Sequence, residues 1–150
     1  MNIKGNCGEN IAKMYKRIFL DTNPVIYLLE NQQPYADQVL DFISRGLDEG
    51  AEFYTSTITD AEFLVRPYKI EDFKTAELYR DFLTKLDVLK SYVTEQIADG
   101  AAKIRAKYPS VKLGDSIQLA ASIDCGCDCF YTNDSQLKQV SEANVVCLEE

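Results

Sequence analysis

Two stretches of the 150-residue chain, FLDTN at 19–23 and YTND at 131–134, end an apolar run on a threonine, an asparagine and an aspartate. Two more acids stand among short polar residues, Glu62 in TSTITDAEFL (55–64) and Asp115 in LGDSIQLAAS (113–122). The chain has no histidine, so the usual general base of serine and cysteine hydrolases and the commonest zinc ligand are both absent. Any catalysis must be done by carboxylates. Carboxylates gathered within a few ångströms repel one another by several kcal/mol unless a cation compensates them. Hard oxygen donors select Mg²⁺ or Mn²⁺. Such an ion acidifies a bound water and stabilises a leaving oxygen, so no imidazole is required.

The elements that must position these acids alternate along the chain. RIFL (17–20) reads as a strand, followed by Asn23 as an N-cap and Pro24 as the first helical position. Apolar residues from Tyr35 to Leu47 recur at helical intervals, with Gly46 or Gly50 ending the helix. EFYTS (52–56) is a second strand, and Thr57 or Thr59 caps a helix running through Leu64 to a stop at Pro67. A long helix covers 71–86, VLKSYV (88–93) is a strand, and Thr94 and Glu95 open a helix that ends before Pro109. A small-residue helix over 112–126 closes on Gly126, CFYT (129–132) is a strand, Ser135 to Val140 a short helix and NVVCL (144–148) the last strand. This alternation predicts an α/β sandwich with a central, mostly parallel sheet flanked by helices. In such sheets the residues beyond the carboxyl ends of the strands meet in one crevice. Asp21, Glu62, Asp115 and Asp134 would converge there.

Length and composition predict one globular domain, and no apolar stretch is long enough for a signal peptide or a membrane span, so a cytoplasmic protein is expected. The net charge of −8 hides a gradient: residues 66–112 carry ten Lys or Arg against seven acids, and the flanks are acidic. The middle could meet phosphates while the ends supply acids. Five cysteines, three of them at Cys125, Cys127 and Cys129, do not have disulfide-framework spacing. A zinc reading of these three competes with small hydrophobes, Cys127 and Cys129 sharing one strand face. Tyr27 stands among Val25, Ile26, Leu28 and Leu29 and reads as core.

FLDTN, TSTITDAEFL, LGDSIQLAAS and YTND also occur in the order and relative spacing of the PIN-domain ribonucleases, and the chain most resembles the VapC toxins of prokaryotic toxin–antitoxin pairs. The resemblance runs from about residue 16 to the C-terminus, leaving residues 1–13 as an N-terminal extension. It implies a PIN-like fold and an acidic metal pocket of Asp21, Glu62, Asp115 and Asp134, with Asn23 and Thr132 holding its geometry. It further implies Mg²⁺- or Mn²⁺-dependent hydrolysis of RNA, commonly tRNA or rRNA, by an endoribonuclease toxin. Asp21 and Asp115 would be the core metal ligands, and Glu62 and Asp134 would complete a second ion or orient water. A homodimer is implied as well, and a cognate antitoxin lying near the helices of 24–47, where Tyr35 and Phe42 could contribute. Gln136 stands where many family members carry another acid. One alternative is a catalytically weak PIN-like module that binds RNA or protein. A haloacid-dehalogenase-type phosphatase needs a second aspartate where Asn23 stands.

Overall fold

The computed structural model describes residues 15–148; the expected N-terminal extension, 1–13, lies outside them. Five strands, β1 (Arg17–Leu20), β2 (Glu52–Ser56), β3 (Leu89–Ser91), β4 (Cys129–Thr132) and β5 (Val145–Cys147), form one sheet in the order β3-β2-β1-β4-β5. Every pairing is parallel, with Ile18 of β1 opposite Phe53 of β2 on one side and Cys129 of β4 on the other. Side chains alternate across the sheet, and both faces are covered. That is why RIFL and CFYT read as continuous apolar runs.

One face carries Ile18, Leu20, Phe53, Cys129 and Tyr131 beneath α1 (Thr22–Leu29), α2 (Tyr35–Asp48), α3 (Thr57–Phe63) and α5 (Phe73–Lys85). The other carries Phe19, Tyr54 and Phe130 beneath α6 (Glu95–Lys107) and α7 (Leu113–Asp124). A short α4 (Val65–Lys69) precedes α5, and a 3₁₀ helix (Ser135–Gln139) follows β4 where a short helix to Val140 was expected. Among the described residues no helix is long and apolar enough to cross a membrane.

Several boundaries move from their expected positions. Asp21, not Asn23, caps α1, its side chain accepting from the Thr22 N–H, so Pro24 is third in the helix rather than first. Ser56, not Thr57 or Thr59, caps α3 by accepting from Ile58 N–H. Pro67 does not stop a helix; it is the third residue of α4, where its missing N–H would lack an intrahelical partner anyway. Gly50, in the left-handed region at φ 78°, follows the α2 C-cap Glu49, whereas Gly46 lies inside the helix.

Gly46 is present for space. A Cβ there would stand 2.8 Å from Phe53 Cζ and 3.2 Å from Ile18 Cδ1, where α2 meets the sheet. Gly46→Ala is therefore expected to lower stability by about 1–3 kcal/mol through overpacking, despite alanine's better helix propensity. A urea midpoint at or above that of the parent would refute this.

Candidate active site

The chain leaves β1 for β2 and β3 on one side and returns for β4 and β5 on the other, so the strand order reverses between β1 and β4. Ligand crevices of open parallel sheets form at such switch points. Asp21 sits there, between the end of β1 and the start of α1, and is only 5% exposed. Its backbone N–H extends the ladder to Tyr131 O at 3.0 Å. Oδ1 accepts from Thr22 N–H at 2.9 Å and Oδ2 from the Thr132 hydroxyl at 2.8 Å, so both oxygens are held. Burial pushes the carboxyl from 3.8 up to about 7, against those two hydrogen bonds, and the charges of Asp115 and Glu62 push the same way.

The other three acids surround this point. Glu62, on the exposed side of α3, accepts from Thr22 Oγ1 at 2.9 Å. The α7 N-terminus passes beside it, a Cβ on Gly114 standing 3.8 Å from Glu62 Oε2. Asp115, next along α7 and half-buried, has its carboxyl raised by burial and then by the charges of Asp134 and Glu62, with Lys112 opposing. Asp134 caps the 3₁₀ helix by accepting from Gln136 N–H at 3.0 Å and lines with Asp115 a cleft of about 270 Å³. Asp21 thus feels the charges of Asp115 and Glu62, and Asp115 those of Asp134 and Glu62. The four carboxylates ring a space rather than meet at a point: among the described residues no three acidic or thiol groups stand close enough to ligate one ion together. The all-oxygen donor set fits a hard cation that keeps part of its water shell, as Mg²⁺ does.

The supporting residues divide. Thr132 donates to Asp21 while accepting from Asp134 N–H at 3.2 Å. Asn23 touches neither carboxylate nor backbone in its side-chain bond; its amide donates to Asn133 Oδ1 at 3.0 Å, and Asn133 donates in turn to the Tyr27 hydroxyl at 2.7 Å. Tyr27 is half-buried, its ring packed against the core as expected and stacked on Tyr35, with its hydroxyl reaching the rim. Phe42, proposed for an antitoxin groove, is buried and stacked on Tyr131, while Tyr35 remains 40% exposed.

A buried polar layer beneath the acids has no counterpart in the sequence reading. Thr22, Thr55, Ser56, Thr59 and Gln118 come from α1, β2, α3 and α7 and are all buried. Gln118 Nε2 donates to Thr59 Oγ1 at 2.7 Å, and the Ser56 hydroxyl donates to Gln118 Oε1. A glutamine between Ile117 and Leu119 was the one available signal.

The basic middle segment is partly neutralised. Arg66 pairs with Glu30 at 3.2 Å, Lys90 with Asp60 at 2.9 Å, Lys103 with Asp99 at 3.0 Å and Lys107 with Glu142 at 2.7 Å. Lys112, in contrast, acts on Asp115 itself. Cys127 and Cys129 do not share a face: Cys129 belongs to the core under α1 and α2, whereas Cys127 packs against the core under α6 and α7. Cys127 lies before β4 begins, outside the strict strand alternation that the expectation assumed.

A family model for the PIN domain matches residues 18–143. Among solved structures, VapBC from Salmonella typhimurium bound to DNA is similar with a TM-score of 0.71 and 19% identity, covering 89% of this chain and 98% of that one. VapBC2 from Rickettsia felis, bound to a DNA fragment from its promoter, gives 0.70 and 13%, covering 89% and 99%. A toxin–antitoxin complex from Klebsiella pneumoniae gives 0.68 and 21%, covering 89% and 98%. No curated protein sequence matches the chain. The family match runs from Ile18 in β1 past β4 and stops short of β5, and its limits enclose the reversal of strand order and all four acids around it: the chain belongs to the PIN-domain family.

Proposed function

We propose that this single domain is a metal-dependent endoribonuclease, a VapC-type toxin held in check by a cognate antitoxin and acting on cytoplasmic RNA such as tRNA or rRNA. PIN domains are generally nucleases. The observation that carries the reading is a buried carboxylate at the switch point, Asp21, under the charge of further acids. A bound Mg²⁺ or Mn²⁺ would supply water activation and stabilisation of the leaving oxygen. Asp21 and Asp115 would hold the ion, and Glu62 and Asp134 would orient water around it. Thr132 and Thr22 keep two of these carboxylates in place, and Lys112 offers a cation to the RNA backbone beside them.

Structural resemblance to VapBC and to a toxin–antitoxin complex supports a protein partner, and so do the exposed apolar side chains Val65, Tyr68, Ile70 and Phe73 along α4 and the start of α5. A second copy of the chain is a further proposed partner. RNA cleavage should require Mg²⁺ or Mn²⁺, cease with EDTA and fall sharply in Asp115→Asn. Cleavage that persists in EDTA and in that variant would exclude the metal mechanism. The absence of a three-carboxylate ligand set among the described residues favours one alternative, a module that binds RNA or protein without cutting. Stable RNA binding in Mn²⁺ without any product would establish it.

A further inference from the structure

The acids are held by a hydroxyl network whose direction can be worked out atom by atom. Ser56 Oγ accepts from Ile58 N–H as the α3 cap, so its own hydrogen is free to go to Gln118 Oε1. That fixes the amide with its oxygen toward Ser56 and its nitrogen toward Thr59, to which it donates at 2.7 Å. Thr55 Oγ1 stands 3.0 Å from Thr59 Oγ1 and shares its one hydrogen with Leu20 O at 3.1 Å. The direction is fixed from the other end: a carboxylate only accepts, so Thr22 donates its one hydrogen to Glu62 Oε1 at 2.9 Å, and across the 3.1 Å contact Thr59 must donate to Thr22 Oγ1 while Gln118 Nε2 fills an acceptor position of Thr59. A second, longer contact of 3.4 Å from Gln118 Nε2 to Thr22 Oγ1 acts in the same sense.

We propose that Gln118 is a positioning residue: its amide, donating to Thr59, holds a Thr59–Thr22 hydroxyl relay in the polarity that ends in a hydrogen bond donated to Glu62. Gln118 is 0% exposed and touches no acid, so it acts only through the threonines. An aliphatic side chain at 118 would take away the donor on Thr59 and its longer contact to Thr22, leaving both threonines free to reorient and Glu62 free to turn to solvent. The consequence for metal binding rests on the proposed role of Glu62; the geometry of the relay does not.

The test is a double-mutant cycle on Mn²⁺ affinity, measured by calorimetry on metal-depleted protein for the parent, Gln118→Met, Glu62→Gln and the pair. Gln118→Met should weaken Mn²⁺ binding about tenfold or more, the range for residues that orient metal ligands. In the Glu62→Gln background its further effect should shrink to within about twofold, because the relay then has no carboxylate to position. Thr59→Val, which keeps the side-chain shape and cuts the relay in its middle, should reproduce Gln118→Met, so one variant folding poorly does not decide the matter. Tyr79→Phe, which removes the bond to Asp60 elsewhere on α3, controls for general loss of stability and should leave Mn²⁺ affinity unchanged. An equal loss in both backgrounds would overturn the proposal. So would a crystal structure of Gln118→Met, or of Thr59→Val, in which Thr22 still donates to an unmoved Glu62. If the parent binds no Mn²⁺, the metal reading fails alone, and those crystal structures still decide whether Gln118 positions Glu62.

Discussion

Asp21→Asn should lose RNA cleavage by roughly 10²–10³-fold while remaining folded. The residue is an N-cap as well as the buried acid of the crevice, and asparagine caps a helix about as well as aspartate. The fold of α1 should therefore survive. What disappears is one negative charge at the proposed ion, whose transition-state stabilisation is worth several kcal/mol, at about 1.4 kcal/mol per factor of ten. Thr132→Val gives a useful contrast: it removes one of the two hydrogen bonds on Asp21 but leaves the charge, so a smaller loss is expected. Single-turnover cleavage with circular dichroism on each variant separates chemistry from folding. Cleavage undiminished in Asp21→Asn would place the chemistry somewhere other than the switch point.

The same substitution should raise stability, and do so in a defined pH window. Burial pushes the Asp21 carboxyl from 3.8 to about 7, so across that interval the folded chain keeps a proton that the unfolded chain releases. Below the lower value both states are protonated and the site costs nothing. As pH rises through the window the folded state is progressively penalised, and above about 7 the loss levels off near 4 kcal/mol. Asparagine carries no such penalty. In metal-free buffer Asp21→Asn should thus be more stable than the parent at pH 8, by up to about 4 kcal/mol, with the difference nearly gone at pH 4. Bound Mg²⁺ or Mn²⁺ should narrow the gap at pH 8, since only the parent keeps the full site. Urea midpoints at several pH values in EDTA decide it. A parent more stable than the variant at pH 8 would mean that the carboxylate is compensated within the protein.

The strands were legible in the sequence because a sheet covered on both faces writes uninterrupted apolar runs, and the acids were legible because each stands where such a run or a helix begins or ends. Exact starts were not. Asp21 and Asn23 are equally good caps, Ser56 competes with two nearby threonines, and a proline anywhere in a first helical turn meets no steric objection. Nor could periodicity reveal the support beneath the acids. Gln118 lies on the buried side of α7, and in sequence such a residue looks like one position of a polar helix face. Tyr27 was legible in part: its aliphatic neighbours suggested core, against which its ring packs, but nothing in the sequence showed its hydroxyl accepting from Asn133 at the rim. Distant pairings of this kind, 106 residues apart for Tyr27 and Asn133, are set by tertiary placement alone.

Both edges of the sheet are short, β3 and β5 having three residues each. A strand added from another chain gains its affinity mainly from a row of main-chain hydrogen bonds, and these borders offer only a stub of one. Recruitment by β-augmentation is therefore disfavoured at either end, and so is edge-to-edge growth into aggregates. Among the described residues, the surface left for a binding protein is the side chains on helices and loops. Specificity can then be changed by surface substitutions that leave the sheet untouched.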